Sequence, residues 1–123
     1  MVLSTAAFCL ALTVYTEARG ESVAGQKAVA LVVMNRAEWN DKRVCKVVHS
    51  KGQFPWAKPG MKAPRDKKAW TNAQQVARTV MNGEVEDFTH GATYFLGKGE
   101  RPAWRLKMKY VMTVGGHRFY ASV

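Results

Sequence analysis

The chain is short of carboxylates. It carries nine Asp and Glu against nineteen Lys and Arg, a formal net charge of +10 over 123 residues. Such an excess on a small chain implies an anionic partner: nucleic acid, anionic lipid or a wall polymer. Cysteine is scarce as well. Cys9 and Cys45 stand far apart, with no paired spacing to histidine, and make a poor zinc site. No long apolar run is present. Ala6 to Tyr15 is apolar but too short to span a bilayer. No Lys or Arg precedes it, which argues against an export signal, and cleavage there would remove or unseat the polar motif that follows. The run reads as a first core helix. Internal repeats and domain-sized linkers are missing. Zinc-finger spacing, an RNP-like aromatic-basic strand and a clear recognition helix are missing too, which weighs against nucleic acid as the anionic partner.

What remains reads as one globular domain over residues 1–123, long enough to bury about two-thirds of its unfolded surface. Three helices are predicted. The first covers about Thr5 to Ala18. The second runs from Val23 to Trp39 with Ser22 as N-cap, and the third from Lys67 to Asn82, ending at Gly83. In the second, Ala24, Ala28, Leu31, Val32 and Asn35 fall near helical spacing, while Gln26, Ala30 and Val33 mark another side. That helix is therefore expected to be buried around much of its circumference. Its small residues permit close approach of the first helix.

Between Asn40 and Lys68, Pro55, Pro59, Gly60, Pro64 and a crowd of cations predict a long loop with one short helical turn near Cys45 to Ser50. The period then changes. Ala92 to Leu96 reads as a strand. Tyr110 to Val114 and His117 to Ala121 read as a hairpin around Gly115-Gly116. The predicted class is α+β, mainly helical, with a small three-stranded antiparallel sheet.

Glu17 is the first candidate for chemistry. It lies in Tyr15-Thr16-Glu17-Ala18-Arg19-Gly20-Glu21-Ser22, where the apolar helix stops and Gly20 breaks it. A carboxylate at such a junction sits half in the core and half in a cleft. Burial raises a carboxyl pKa, and a glutamic acid protonated near neutrality can donate a proton to a leaving oxygen. The competing reading is a solvated helix-end acid. Glu21 lies four residues on, but Gly20 breaks the shared helical face; a charge favouring the start of the second helix is its preferred role.

Several stretches, in order, carry a family resemblance: Glu17-Ala18-Arg19-Gly20-Glu21; Gly25-Gln26 with Ala28-Val29-Ala30; Met34-Asn35-Arg36; Cys45-Lys46-Val47-Val48; Gln53-Phe54; Gly91-Ala92-Thr93-Tyr94-Phe95; and Gly116-His117-Arg118-Phe119-Tyr120. Together they resemble the SleB-type cell-wall hydrolases, over nearly the whole chain. The resemblance implies a lysozyme-like fold and a peptidoglycan glycan strand as substrate. It also implies that Glu17 is the catalytic acid, and that no metal or organic cofactor is needed. Many members carry an export signal and a wall-binding domain, and here neither is read from the sequence. The expected setting is therefore a phage endolysin, made in the host cytoplasm and released to the wall by a membrane-permeabilising partner. Buried free thiols are the favoured state of Cys9 and Cys45 in such a product. Members of the family often carry both positions, so a disulfide after release is the alternative.

Other candidates follow from residue type and place. Gln53 and Phe54 face the expected cleft, the amide suited to an acetamido group and the ring to a sugar face, or else Phe54 anchors the loop. Of the neighbours Tyr94 and Phe95, Tyr94 is expected at the site and Phe95 in the core. Asn35 either ties the cleft together or touches sugar, the first being preferred. Tyr15 walls the pocket around Glu17 or packs in the core. Trp104, in the loop-like stretch Arg101 to Lys109, ranks above Trp56 and Trp70 as a sugar platform. His117 reads as a turn or surface histidine in preference to a catalytic base. The basic stretch Lys42 to Lys68 is expected to meet anionic wall or outer-membrane surface.

The expected reaction cleaves the β-1,4 bond between N-acetylmuramic acid and N-acetylglucosamine. With Glu17 the one acid assigned to catalysis, a lytic transglycosylase fits better than a hydrolytic muramidase, because the sugar's own hydroxyl replaces a positioned water. The remaining acids, Glu38, Asp41, Asp66, Glu84, Glu86, Asp87 and Glu100, lie outside the recognised motifs, and the sequence leaves open that one of them folds back to the site. A non-catalytic basic module for wall polymer or nucleic acid is the reading of another class. The chain is expected to act as a monomer.

Overall fold

The computed structural model describes residues 4–50 and 64–123. Helices α1 (Thr5–Ala18), α2 (Val23–Arg36), α3 (Asp41–Val48) and α4 (Lys67–Met81) come first. Strand β1 (Tyr94–Gly97), a 3-10 turn (Ala103–Lys107) and strands β2 (Lys109–Val114) and β3 (His117–Ala121) complete the order. Each of these α-helices opens on a side-chain cap. Ser4, Ser22, Asn40 and Asp66 accept hydrogen bonds from the amides of Ala7, Gly25, Lys42 and Ala69. Such caps contribute about 1 kcal/mol each.

Helix α1 packs against α2, α3 and α4. Its Leu10, Ala11 and Val14 are fully buried, together with Leu31, Val33 and Met34 of α2 and Val44, Ala77 and Val80. Full burial of one such large side chain stabilises by roughly 1.5–3 kcal/mol. A second apolar cluster lies on the other side of α2, where Ala28, Val29 and Val32 meet Ala18, Ala92 and Phe119. Helix α2 is thus the wall shared by the helical core and the sheet, which explains why its apolar residues run around it. Among the described residues no helix is long and apolar enough to cross a membrane.

Three sequence expectations are corrected. Helix α2 stops at Arg36, not Trp39, because Glu38 (φ 53°) and Trp39 (φ 58°) adopt left-handed backbone that turns the chain into α3. The Trp39 indole N–H donates to Asn35 Oδ1 at 2.9 Å and holds that turn. The stretch expected as a loop with one turn begins instead with the two-turn helix α3, whose Val44 and Val48 share one buried face while Lys42, Arg43 and Lys46 face outward. The thiols expected to be free form a disulfide, Cys9–Cys45, because α1 and α3 bring their Cα atoms to 5.3 Å.

The sheet is antiparallel, in the order β1-β3-β2. Phe95 pairs with Phe119 and Tyr94 with Tyr120. A bulge between Tyr110 and Met112 of β2 keeps Tyr110 opposite Tyr120 and sets Met112 opposite Phe119. The β2–β3 turn has Gly115 at φ 55°, the left-handed backbone a two-residue hairpin turn requires there.

Candidate active site

Glu17 belongs to the last turn of α1, between fully buried Val14 and Ala18 on the same helical side. Those two residues fix its backbone, and its half-buried side chain enters an open cleft of about 220 Å³. Helix α2 supplies Val32 and Arg36 to the cleft, and β1 supplies Tyr94, Phe95, Leu96 and Gly97. Glu100, Trp104 and His117 complete it.

One wall is aromatic. Tyr94 and Trp104 lie with ring centroids 5.2 Å apart, and Trp104 meets Tyr120 edge-on at 6.3 Å. Trp104 stays 40% exposed, so part of its ring is open to a ligand. The Arg36 guanidinium sits 4.6 Å from the Tyr94 ring centroid. Burial lowers its pKa while Tyr94 opposes the shift, and an arginine so placed keeps its charge at neutral pH. The opposite corner holds His117, buried, with Phe95 at 5.3 Å and Phe119 at 6.3 Å between centroids. Its Nδ1 has no hydrogen-bond partner. Glu100 Oε1 accepts the Gly97 amide at 2.7 Å, in the space a side chain at Gly97 would occupy. Carboxyls, a fixed cation and stacked rings suit an uncharged, ring-shaped polyol with a leaving oxygen, such as a sugar. No cluster of three or more His, Cys, Asp or Glu able to hold a metal occurs among the described residues.

Of the residues singled out from sequence, Glu17, Tyr94 and Trp104 come together here. Phe95 lines the cleft as well as packing on both apolar clusters, so the assignment to core alone is incomplete. Trp104 stands on a 3-10 turn where a loop was expected. His117, read as a turn or surface residue, is buried in the cleft, its ring against Phe95 of β1 and Phe119 of β3. Tyr15 does not line the cleft; its ring meets Trp70 edge-on at 6.2 Å, and its hydroxyl accepts from Arg19. Asn35 does not line it either. Its amide donates to Asp87 Oδ2 at 3.0 Å and to the Ala92 carbonyl at 2.9 Å, and its oxygen accepts from Trp39, which leaves it no donor for sugar. Gln53, Phe54 and Trp56, with residues 51–63 of the basic stretch, lie outside the described residues.

Sequence reasoning gave three of the structure's polar residues no role and a fourth, Glu21, only a local one at the start of the second helix. Arg36 stood inside a quoted motif but was given no role. Glu100 is one of the acids outside the recognised motifs, and it is the one that folds back to the cleft. Glu21 reaches across the fold, its Oε1 accepting the Gly116 amide at 3.1 Å and tying the start of α2 to the hairpin turn. Asp87 organises the loop before β1, accepting from the Thr89 amide and hydroxyl, the Gly91 amide and Asn35. Burial raises its pKa, but these hydrogen bonds outweigh burial and hold it below the usual carboxylate range. The Asp87-x-Thr89-x-Gly91 spacing was the available signal.

A family model, Cell Wall Hydrolase, matches residues 20–120. The chain belongs to the cell wall hydrolase family. By family it is a peptidoglycan-degrading enzyme, and its α+β fold is lysozyme-like. This cell wall hydrolase is similar to the catalytic domain of the germination-specific lytic transglycosylase SleB from Bacillus anthracis, at 25% identity and a TM-score of 0.67, over 96% of both chains. It is also similar in fold to the catalytic domain of the Bacillus cereus SleB protein, at 24% identity and a TM-score of 0.61, over 97% of this chain and 92% of that one. No curated protein matches. The family match begins at Gly20, so Glu17 stands just outside it and its assignment rests on the cleft.

Proposed function

We propose that this hydrolase cleaves the β-1,4 bond between N-acetylmuramic acid and N-acetylglucosamine as a lytic transglycosylase, with Glu17 as acid and then base. The observation that carries the proposal is Glu17, anchored by the core and open to a cleft walled by Tyr94 and Trp104. The Glu17 carboxyl gives its proton to the glycosidic oxygen, and the bond to the anomeric carbon breaks through an oxocarbenium-like state. The resulting carboxylate takes the proton of the sugar's 6-hydroxyl, and that oxygen bonds to the anomeric carbon. The product ends in 1,6-anhydro-N-acetylmuramic acid. Intramolecular attack needs no held water. The likeness to the SleB lytic transglycosylase domain supports this choice.

Glu100 supports a second reading. It is a second carboxylate lining the cleft, so a water held there would make the enzyme a muramidase. Mass spectrometry of sugars released from purified peptidoglycan separates the two. Anhydro ends that persist in Glu100→Gln support transglycosylation. Reducing ends, one water heavier, that vanish in Glu100→Gln support hydrolysis and overturn it. No release would leave a binding module.

The biological setting we propose is phage-mediated host lysis. Expressed inside a bacterium, the protein then lyses the cell only with a membrane-permeabilising partner. Recovery from the periplasm when expressed alone would sink that role.

A further inference from the structure

The chain segments that close the cleft build a second hollow on their other side. In the turn after β1, Gly97 and Glu100 face the cleft, while Lys98, Gly99 and Arg101 line an open hollow of about 350 Å³. Strand β3 divides in the same way. His117 belongs to the cleft and Arg118 to the hollow, since neighbouring strand residues point to opposite faces. Thr113, Gly115 and Gly116 complete the floor. The hollow therefore borders the cleft across the thickness of one chain segment.

Its charge is one-sided. Lys98, Arg101 and Arg118 line it, and among the described residues no carboxylate does. The adjacent acids are held by backbone amides: Glu100 on Gly97 at 2.7 Å and Glu21 on Gly116 at 3.1 Å. Arg118 is pinned, with Nη2 donating to the Glu100 and Gly97 carbonyls and Nη1 reaching the Tyr120 hydroxyl at 3.5 Å. These partners are neutral, so its charge is oriented without being cancelled. Lys98 and Arg101 are exposed and free to close over an anion.

We propose that the hollow binds a free carboxylate of the peptide stem on a muramic acid seated in the cleft. This rests on the glycan-strand reading above. Stems leave the strand sideways through the lactyl group, and an extended stem advances roughly 3.3 Å per residue, so its first residues span the rim between cleft and hollow. A guanidinium fixed on carbonyls with a flexible cation on either side matches a carboxylate in geometry and charge. The hollow makes the enzyme prefer stem-bearing over bare glycan.

The test compares stem-bearing strands with the same strands stripped of stems by an amidase. The wild type is expected to show a KM roughly three- to ten-fold lower on stem-bearing strands, shrinking as salt rises. In K98A/R101A, both changes at exposed positions, that ratio is expected to fall to about one, with kcat unchanged on either strand. A ratio that survives the double change, or a wild type with no preference, overturns the proposal. If the wild type cuts neither strand, the glycosidase reading fails. Co-sedimentation of Glu17→Gln with both strands then reads the hollow separately. Stem-dependent retention abolished by K98A/R101A supports the hollow, and equal retention overturns it.

Discussion

Helix α1 buries Leu10, Ala11 and Val14 completely, whereas strand β2 buries none of its six residues. The helical region is a thick apolar core crossed by a disulfide; the sheet region is one thin layer resting on α2 through Phe119 and its neighbours. The two regions contribute differently to the cleft. The thick region supplies Glu17, whose position is set by buried residues on the same helix. The thin region supplies Tyr94, Trp104 and His117, a wall of rings and a buried imidazole on strands and a short turn. A proton donor has to be held close to one geometry, and a core helix does that. A sugar-binding wall has only to present flat surface, which a shallower layer provides.

The largest expected effect separates chemistry from scaffold. Glu17→Gln should lower the rate of wall cleavage by about 10²–10⁴-fold, the range typical of a lost general acid. Its thermal midpoint should match the wild type, because the side chain faces the cleft and not the core. Turnover on purified peptidoglycan beside a melting curve reads both, and activity that survives would refute the assignment of Glu17.

Next comes the thick region itself. The Cys9–Cys45 bond closes a loop with a sequence separation of 36. Replacing both cysteines by serine is expected to cost about 3–4 kcal/mol in urea unfolding, in the chain-entropy view. Cleavage by the folded fraction should be unaffected. Equal unfolding midpoints for the two proteins would mean that apolar packing alone holds α3 on α1.

Asp87 joins the two regions, since it binds Asn35 of α2 and the loop leading into β1. Asp87→Asn should cost about 1.5–3 kcal/mol at neutral pH, as expected for hydrogen bonds to a charged group. The Asp87 pKa is depressed in the folded state. Its contribution is therefore fully present above the unfolded value, about 3.9, and is lost as pH falls through the lower folded value. Urea midpoints of wild type and variant should differ at pH 7 and converge under strong acid. A gap that persists in acid would assign the loss to shape instead of charge.

The smallest effect tests the thin wall. Trp104→Ala should raise KM several-fold and cost roughly 0.5–1.5 kcal/mol of stability, the contribution of its ring contacts with Tyr94 and Tyr120. If kcat falls instead of KM rising, Trp104 acts on the transition state and the thin wall shares in the chemistry.

Legibility in the sequence followed the range of the signal. Helix α1 and strand β3 run over the expected residues because α1 carries a long apolar run that stops before Gly20, and β3 follows directly on the Gly115-Gly116 turn. Helix α3 was hidden because it offers two buried positions, Val44 and Val48, among lysines and arginines in a stretch thick with turn residues. The end of α2 was misplaced because Glu38 and Trp39 are acceptable helix residues; the turn into α3 sets their backbone. At the site, Glu17 and Tyr94 stood out through motif and strand position. Glu100 carried no local mark, and the burial of His117 depends on β1 closing beside β3.

The sequence by itself determined the helical and strand periods, the hairpin at Gly115-Gly116, the caps at Ser22 and Gly83, and the acid at the end of the first helix. Those features depend on neighbours within a few residues, where side-chain spacing and backbone preference act directly. Tertiary structure alone decided that Cys9 meets Cys45, that Glu21 holds the Gly116 amide, and that Glu100 and His117 share a cleft with Glu17. Each is an encounter between elements far apart in the chain. Packing of apolar faces sets such encounters, and a periodic pattern shows that a face is buried without naming what it is buried against.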